Sequence, residues 1–190
     1  MNINKLIPVL VLLLVITPVS AYDIAGISLP DKQLVEPSAP ELSLNGAGVR
    51  SKLFFDIYVA GLYLTQPLDS LEAIEQEKGA KRVLMHFLYK EVSKEKLNAA
   101  WWEGFENNLS NEAFNALKPQ IETFTGFFQD THKGDVVWLD YIPGSGTRIS
   151  LNGRPIGSIP GETFYPALLR IWLGDKPVTS GLKKGMLGID

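Results

Sequence analysis

Cysteine is absent from the 190 residues, which excludes a disulfide framework, thiolate metal sites and a lipid-anchoring thiol. Histidine occurs only twice. His86 sits in an apolar run between Met85 and Phe87, and His132 lies in a Thr-His-Lys-Gly loop. Neither is spaced with carboxylates that could complete a metal site, so neither a metal nor a cofactor is expected. No basic block is present: the densest clusters are Lys81-Arg82 and Lys183-Lys184, both read as solvated ends, in a chain of net charge −3. That balance argues against nucleic acid, whose phosphates demand grouped cations. Long hydrophobic runs are also missing, none approaching the ~20 residues that span a bilayer.

What is present begins with a leader. Lys5 is the only early charge, residues 6–16 are eleven apolar positions, and Thr17-Pro18-Val19-Ser20-Ala21 follows. A charged start, an apolar middle and a small-x-small exit describe a secretory signal peptide cut after Ala21. As a helix the apolar stretch would rise only about 16 Å, half a hydrocarbon core, which disfavours an anchor. The expected organisation is a signal peptide over 1–21 and one soluble domain over 22–190. Export without disulfides points to the periplasm.

The pattern downstream predicts strands over 29–36 and 41–45 around a turn at 37–40, and a long strand over 53–64 rich in β-branched and aromatic residues. Ser70 caps a short helix, and residues 81–90 return as a strand. Ser93 opens the strongest helix, with Leu97, Trp101, Phe105 and Leu109 in one stripe. Residues 111–128 continue as helix with a break or kink at Pro119, which lacks an amide proton. Strands over 135–142 and 148–151 join through Pro143-Gly144-Ser145-Gly146, Asn152-Gly153 makes a second hairpin turn, and helices close the chain over 162–173 and up to Gly185. Strands, then helices, then strands fit an α+β sheet covered on one face by helices.

Several chemistries fail on inspection. Gly46 and Gly48 start a dinucleotide-like pattern, but position 51 is Ser51 and a strand follows, so no helix N-terminus is offered to phosphate. Ser145 lies in a hairpin turn instead of a nucleophile elbow. Trp101 shares the apolar stripe and reads as core, whereas Trp102 does not share it. Arg50 stands out. It precedes the long strand, after glycines that would let the backbone turn, and a surface arginine or an Asp56 pair is its bland interpretation. In an extended chain Asp56, Tyr58, Ala60 and Leu62 share one face, while Phe55, Ile57, Val59 and Tyr63 share the other. Both faces are largely apolar, so helices should cover one and something else, a ligand among the options, the other.

The segments "LNGAGVRSKLFFDIYVAGLYL" (44–64) and "ALLRIWLGDKPVTSGLKKGMLG" (167–188) resemble the chalcone isomerase family. There a glycine-glycine-arginine turn, a long strand ending in Gly-x-Tyr-Leu and a helix ending in Trp-Leu-Gly-Asp-x-Pro recur in this order. The resemblance implies an open-faced β-sandwich: a large antiparallel sheet, a helical layer, and a ligand cleft between them. It spans true isomerases, fatty-acid-binding proteins and noncatalytic relatives. The enzymes' arginine matches Arg50, and their first threonine falls at Tyr58. Their tyrosine, lysine and asparagine fall near Leu97, Ala100 and Gly104, and their last threonine near Ile171. Only the arginine survives, so the resemblance implies a noncatalytic, apolar cleft that takes a small amphiphilic carboxylate such as a fatty acid. Arg50 and Tyr58 would hold the head group and the other four positions would line the tail. An isomerase of unknown substrate and a protein-interaction module are the alternatives, and no protein partner is named by the sequence.

Overall fold

The computed structural model describes residues 21–35 and 40–189. Residues 1–20 of the proposed leader and residues 36–39, with most of the expected turn, therefore lie outside the described residues. A first hairpin pairs β1 (Ala21–Ile24) with β2 (Ile27–Pro30). The main sheet contains β3 (Lys32–Gln33), β4 (Leu42–Lys52), β5 (Phe55–Leu64) and, after helix α1 (Leu71–Gln76), β6 (Lys81–Phe87). A short strand β7 (Glu91–Val92), helices α2 (Lys94–Asn108) and α3 (Asn111–Gly126), and β8 (Thr131–His132) come next. The chain then adds β9 (Val136–Ile142), β10 (Gly146–Leu151) and β11 (Arg154–Pro160), and ends in α4 (Phe164–Leu173) and α5 (Ser180–Leu187). The seven strands order as β11-β10-β9-β6-β5-β4-β3, with each neighbour antiparallel.

Local chemistry accounts for the helices. Ser93 Oγ accepts from Lys96 N at 3.4 Å and Ser110 Oγ from Ala113 N at 3.2 Å, which caps α2 and α3. Leu97, Trp101 and Phe105 form the buried stripe of α2. Helix α3 runs through Pro119 without the expected break. Pro119 and Asn115, whose carbonyl would have received the missing amide, are both exposed, so water can serve that oxygen.

Strand alternation separates two cores. Tyr58, Ala60, Leu62 and Leu64 of β5 join Val83, Met85 and Phe87 of β6 beneath the helices. Val59, Tyr63 and Leu84 face the opposite way, onto Leu29, Val35 and Leu42. That second face is thus covered by the chain's own N-terminal segment. A buried polar network fastens the cover: Arg82 donates to both carboxylate oxygens of Asp140 (2.6 and 2.9 Å) and to Gln33 Oε1 (2.6 Å). Arg148 bridges Asp140 and the carbonyl of Val35 (3.1 and 2.6 Å), and Trp138 stacks 4.3 Å from the Arg82 guanidinium. Fully paired in this way, the charges can remain inside the protein.

The glycines before Arg50 do not form a turn. They lie within β4, and the reversal occurs at Leu53-Phe54, where Leu53 adopts φ +58°. A Cβ on Gly46 would strike the carbonyl of Gly185, and one on Gly48 would sit 3.1 Å from Leu182 Cα. A Cβ on Gly185 would in turn strike the carbonyl of Ala47. Glycines on both sides therefore let α5 lie directly on β4, backbone against backbone.

Candidate functional site

A bulge decides where Arg50 points. Register shifts between Leu44 and Gly46, leaving Asn45 without a partner on β5. Its side chain instead bonds Leu68 on both backbone groups and the Met186 carbonyl (2.8–3.0 Å). Before this bulge Leu42 and Leu44 face the N-terminal cover; beyond it Ala47 and Val49 do. The alternate residues Gly46, Gly48 and Arg50 consequently face α5 and the helical layer. A second shift after Arg50 leaves Ile57 unopposed, and the Ile57 carbonyl receives the amides of Leu88 and Tyr89.

Arg50 is paired directly across from Tyr58, and its guanidinium carbon lies 5.8 Å from the phenol ring centroid. Asp56 does not bind Arg50; it accepts from Ser51 Oγ at 2.6 Å. Among the described residues the half-buried Arg50 has no carboxylate or carbonyl partner. Tyr58 is 5% exposed, and its hydroxyl accepts from Trp172 Nε1 at 3.0 Å. Burial pushes this phenol above its ordinary value, against the pull of the Arg50 charge and the Trp172 hydrogen bond. It stays protonated at neutral pH and keeps a hydrogen to donate. Trp101 packs edge-on to Trp172, with ring centroids 5.6 Å apart, and its buried Nε1 has no partner among the described residues.

The remaining positions sit deeper. Leu97 and Ile171 are buried in the same core cluster as Tyr58. Gly104 allows α2 to approach α4, since a Cβ there would lie 2.9 Å from Ile171 Cγ2. Ala100 is half-buried on α2. Between them Trp101, Phe105, Phe124, Phe128 and Trp172 fill the space between sheet and helices. A groove of about 410 Å³ does open elsewhere, lined by Tyr22, Asp31, Lys32, Asn45 and Gly185, but it does not reach Arg50 or Tyr58. Trp172 and Trp101 are the site neighbours that sequence reasoning missed. Trp172 carried a signal as part of the Trp-Leu-Gly-Asp segment, whereas a tryptophan within an apolar stripe gives none.

The layering, the arginine opposite β5 and the helix carrying Trp172 can now be compared with known proteins. A profile of chalcone isomerase-like proteins matches residues 21–188. The chain belongs to the chalcone isomerase-like family. Comparison with curated sequences gives no match. Among solved structures, the crystal structure of a fatty-acid binding protein from Arabidopsis thaliana is similar, with a TM-score of 0.68 and 16% identity over 85% of this chain and 92% of that one. At that identity the likeness establishes the chalcone isomerase-like fold. Between sheet and helices, Arg50, Tyr58 and Trp172 come together where β4, β5 and α4 meet, and the core cluster around them is aliphatic and aromatic. Among the described residues no group of three or more His, Asp or Glu is placed to hold a metal.

Proposed function

We propose that this chain is an exported, noncatalytic chalcone isomerase-like protein that binds a fatty acid or a similar amphiphilic carboxylate. One observation carries the reading. Arg50 faces the helical layer beside Tyr58, half-buried and without an anionic partner among the described residues. A carboxylate suits this place: guanidinium offers charge and two parallel donors, and the neutral phenol adds a third. The unpartnered Trp101 Nε1 lies one ring further along the same aromatic row. Because that row is closely packed, an acyl tail takes its place only when α2 and α4 move off the sheet.

Noncatalysis rests on the residues beneath the head group. Cyclisation of a chalcone needs developing charge to be stabilised and water to be positioned, and every lost decade of rate corresponds to about 1.4 kcal/mol. Leu97, Ala100, Gly104 and Ile171 offer neither a general acid nor a base. The leader places the action outside the cytoplasm, in the periplasm, with Tyr22 as the first mature residue.

Mass spectrometry of lipid released on denaturing freshly purified protein tests the binding reading. Fatty acids at near-stoichiometric yield are expected from wild type and much less from Arg50→Ala. Equal, trace yields from both would overturn it, as would chalcone cyclisation above the spontaneous rate that depends on Arg50 for the noncatalytic part.

A further inference from the structure

The two least protected large apolar side chains among the described residues, Leu53 and Phe54, sit together at one end of the sheet. At the β4–β5 reversal Leu53 is 86%, Phe54 98% and Phe55 55% exposed. Tyr89, in the turn after β6, packs edge-on to Phe55 at 5.5 Å and is itself 37% exposed. Folding buries apolar surface wherever it can, so an extended Leu-Phe-Phe tip at a left-handed Leu53 must meet something other than water.

The surrounding charge selects the occupant. Lys52 and Lys90 flank the apolar residues in the two turns, and the Lys133 amide donates to the Lys90 carbonyl at 3.2 Å, which brings a third exposed lysine beside them. None of the three has a side-chain partner among the described residues. The carboxylates at this end keep their charge but are drawn into local contacts, Asp56 to Ser51, Asp135 to Asn152 and the His132 amide, and Glu91 to within 3.6 Å of His132, whereas the lysine side chains extend without partners among the described residues. A narrow apolar tip ringed by uncommitted lysines fits the boundary between acyl chains and anionic headgroups, where the apolar side chains enter a few ångströms and the ammonium groups stay at the phosphates.

We infer that the β4–β5 tip docks the protein on an anionic lipid surface, and that this places Arg50 at headgroup level. Arg50 is three residues from Leu53 along an extended strand, about 10 Å. The docking contact stands on the tip alone; its use for loading an amphiphile rests on the function proposed above.

The absence of cysteine supplies the test. Leu53→Cys in the full chain gives a single thiol for an environment-sensitive fluorophore, and Asn115→Cys, exposed on α3, gives a control that also reports any anchoring by the leader. With vesicles of phosphatidylcholine and phosphatidylglycerol, the label at 53 should shift blue by roughly 10–20 nm and the label at 115 should not. Adding Phe54→Ser should lower the lipid affinity read by the label about tenfold, and Lys52→Glu with Lys90→Glu should abolish the preference for anionic vesicles. Identical behaviour at 53 and 115 would overturn docking, as would a blue shift without lipid that rises with protein concentration, which would assign the tip to a second copy. Calorimetric binding of soluble decanoate without vesicles separates the two ideas. Retained decanoate binding with no docking sinks this inference alone, while docking without decanoate binding sinks the carrier function and leaves the tip as a membrane contact.

Discussion

Tyr58 and Arg50 differ in what their removal should do to the fold, and that difference separates a structural residue from a ligand-binding one. Tyr58→Phe leaves the buried Trp172 N–H without its acceptor, which should cost about 1–3 kcal/mol of stability in urea unfolding. Arg50→Ala removes a half-buried side chain that has a ring face 5.8 Å away and no anionic partner among the described residues, and should shift stability by less than about 1 kcal/mol. A larger loss for Arg50→Ala than for Tyr58→Phe would make Arg50 a fold residue. On the opposite face Asp140→Ala strands the buried Arg82 and should cost about 3–5 kcal/mol, whereas replacing both by leucine should cost far less. Similar losses in the two variants would show that shape, not charge pairing, holds the N-terminal cover. None of this network was legible from sequence, because Arg82 and Asp140 are 58 residues apart and each sits in an apolar strand where a charge reads as an edge position.

Among the elements, α2 was the most legible. Its Ser93 cap and the stripe members Leu97, Trp101 and Phe105 need only local chemistry and the helical period and are found as read, while Leu109, the fourth member, is the extended C-cap and packs half-buried against the same core. Strand β5 was legible for the same reason from Tyr58 onward, where Tyr58, Ala60 and Leu62 share one face and Val59 and Tyr63 the other; Leu53-Phe54 instead form the reversal, and Ile57, at the bulge, packs with the helical side. The strand predicted over 41–45 is the start of β4, but its continuation through Gly46 and Gly48 to Arg50 reads as a turn, since glycine signals backbone freedom locally while here it answers a helix docking from the far end of the chain; Asn45 and Met186, which tie the two, are 141 residues apart. The bulge at Asn45, which turns Arg50 toward the helices, is likewise a tertiary device without a sequence mark. Gly46→Ala tests this interpretation. Its Cβ meets backbone that cannot yield, so α5 must lift and stability should fall by at least about 2 kcal/mol. Gly104→Ala meets the branched carbons of buried Ile171, a side chain with little rotamer freedom that can give way only by repacking, and should cost about 1–2 kcal/mol, less than a collision with backbone. Equal costs in urea unfolding would contradict the backbone-on-backbone packing of α5.

For the molecule as a whole, burial of phenols sets an alkaline limit. Tyr58, Tyr63 and Tyr165 all have hydroxyls pushed above the ordinary value of 10.0, with burial the main cause. The unfolded chain releases these protons first, so the stability they contribute is complete below pH 10 and is lost as pH rises above it. Urea midpoints should be level between about pH 8 and 9.5 and fall steeply above about 10.5, with the phenolate absorbance of these three tyrosines appearing only as the chain unfolds. Early ionisation of all the tyrosines in a folded chain would contradict the closed core. That core also states what binding requires: an acyl tail must displace the aromatic row while its carboxylate meets Arg50. Isothermal titration of dodecanoate and dodecanol into wild type, Arg50→Ala, Tyr58→Phe and the double variant addresses this directly. Arg50→Ala should weaken the acid by roughly 1.5–3 kcal/mol and Tyr58→Phe by about 0.5–1.5 kcal/mol, the double variant by less than their sum, and the alcohol should be almost unchanged throughout. Equal weakening of acid and alcohol, or no acid binding by wild type, would contradict a carboxylate site at Arg50.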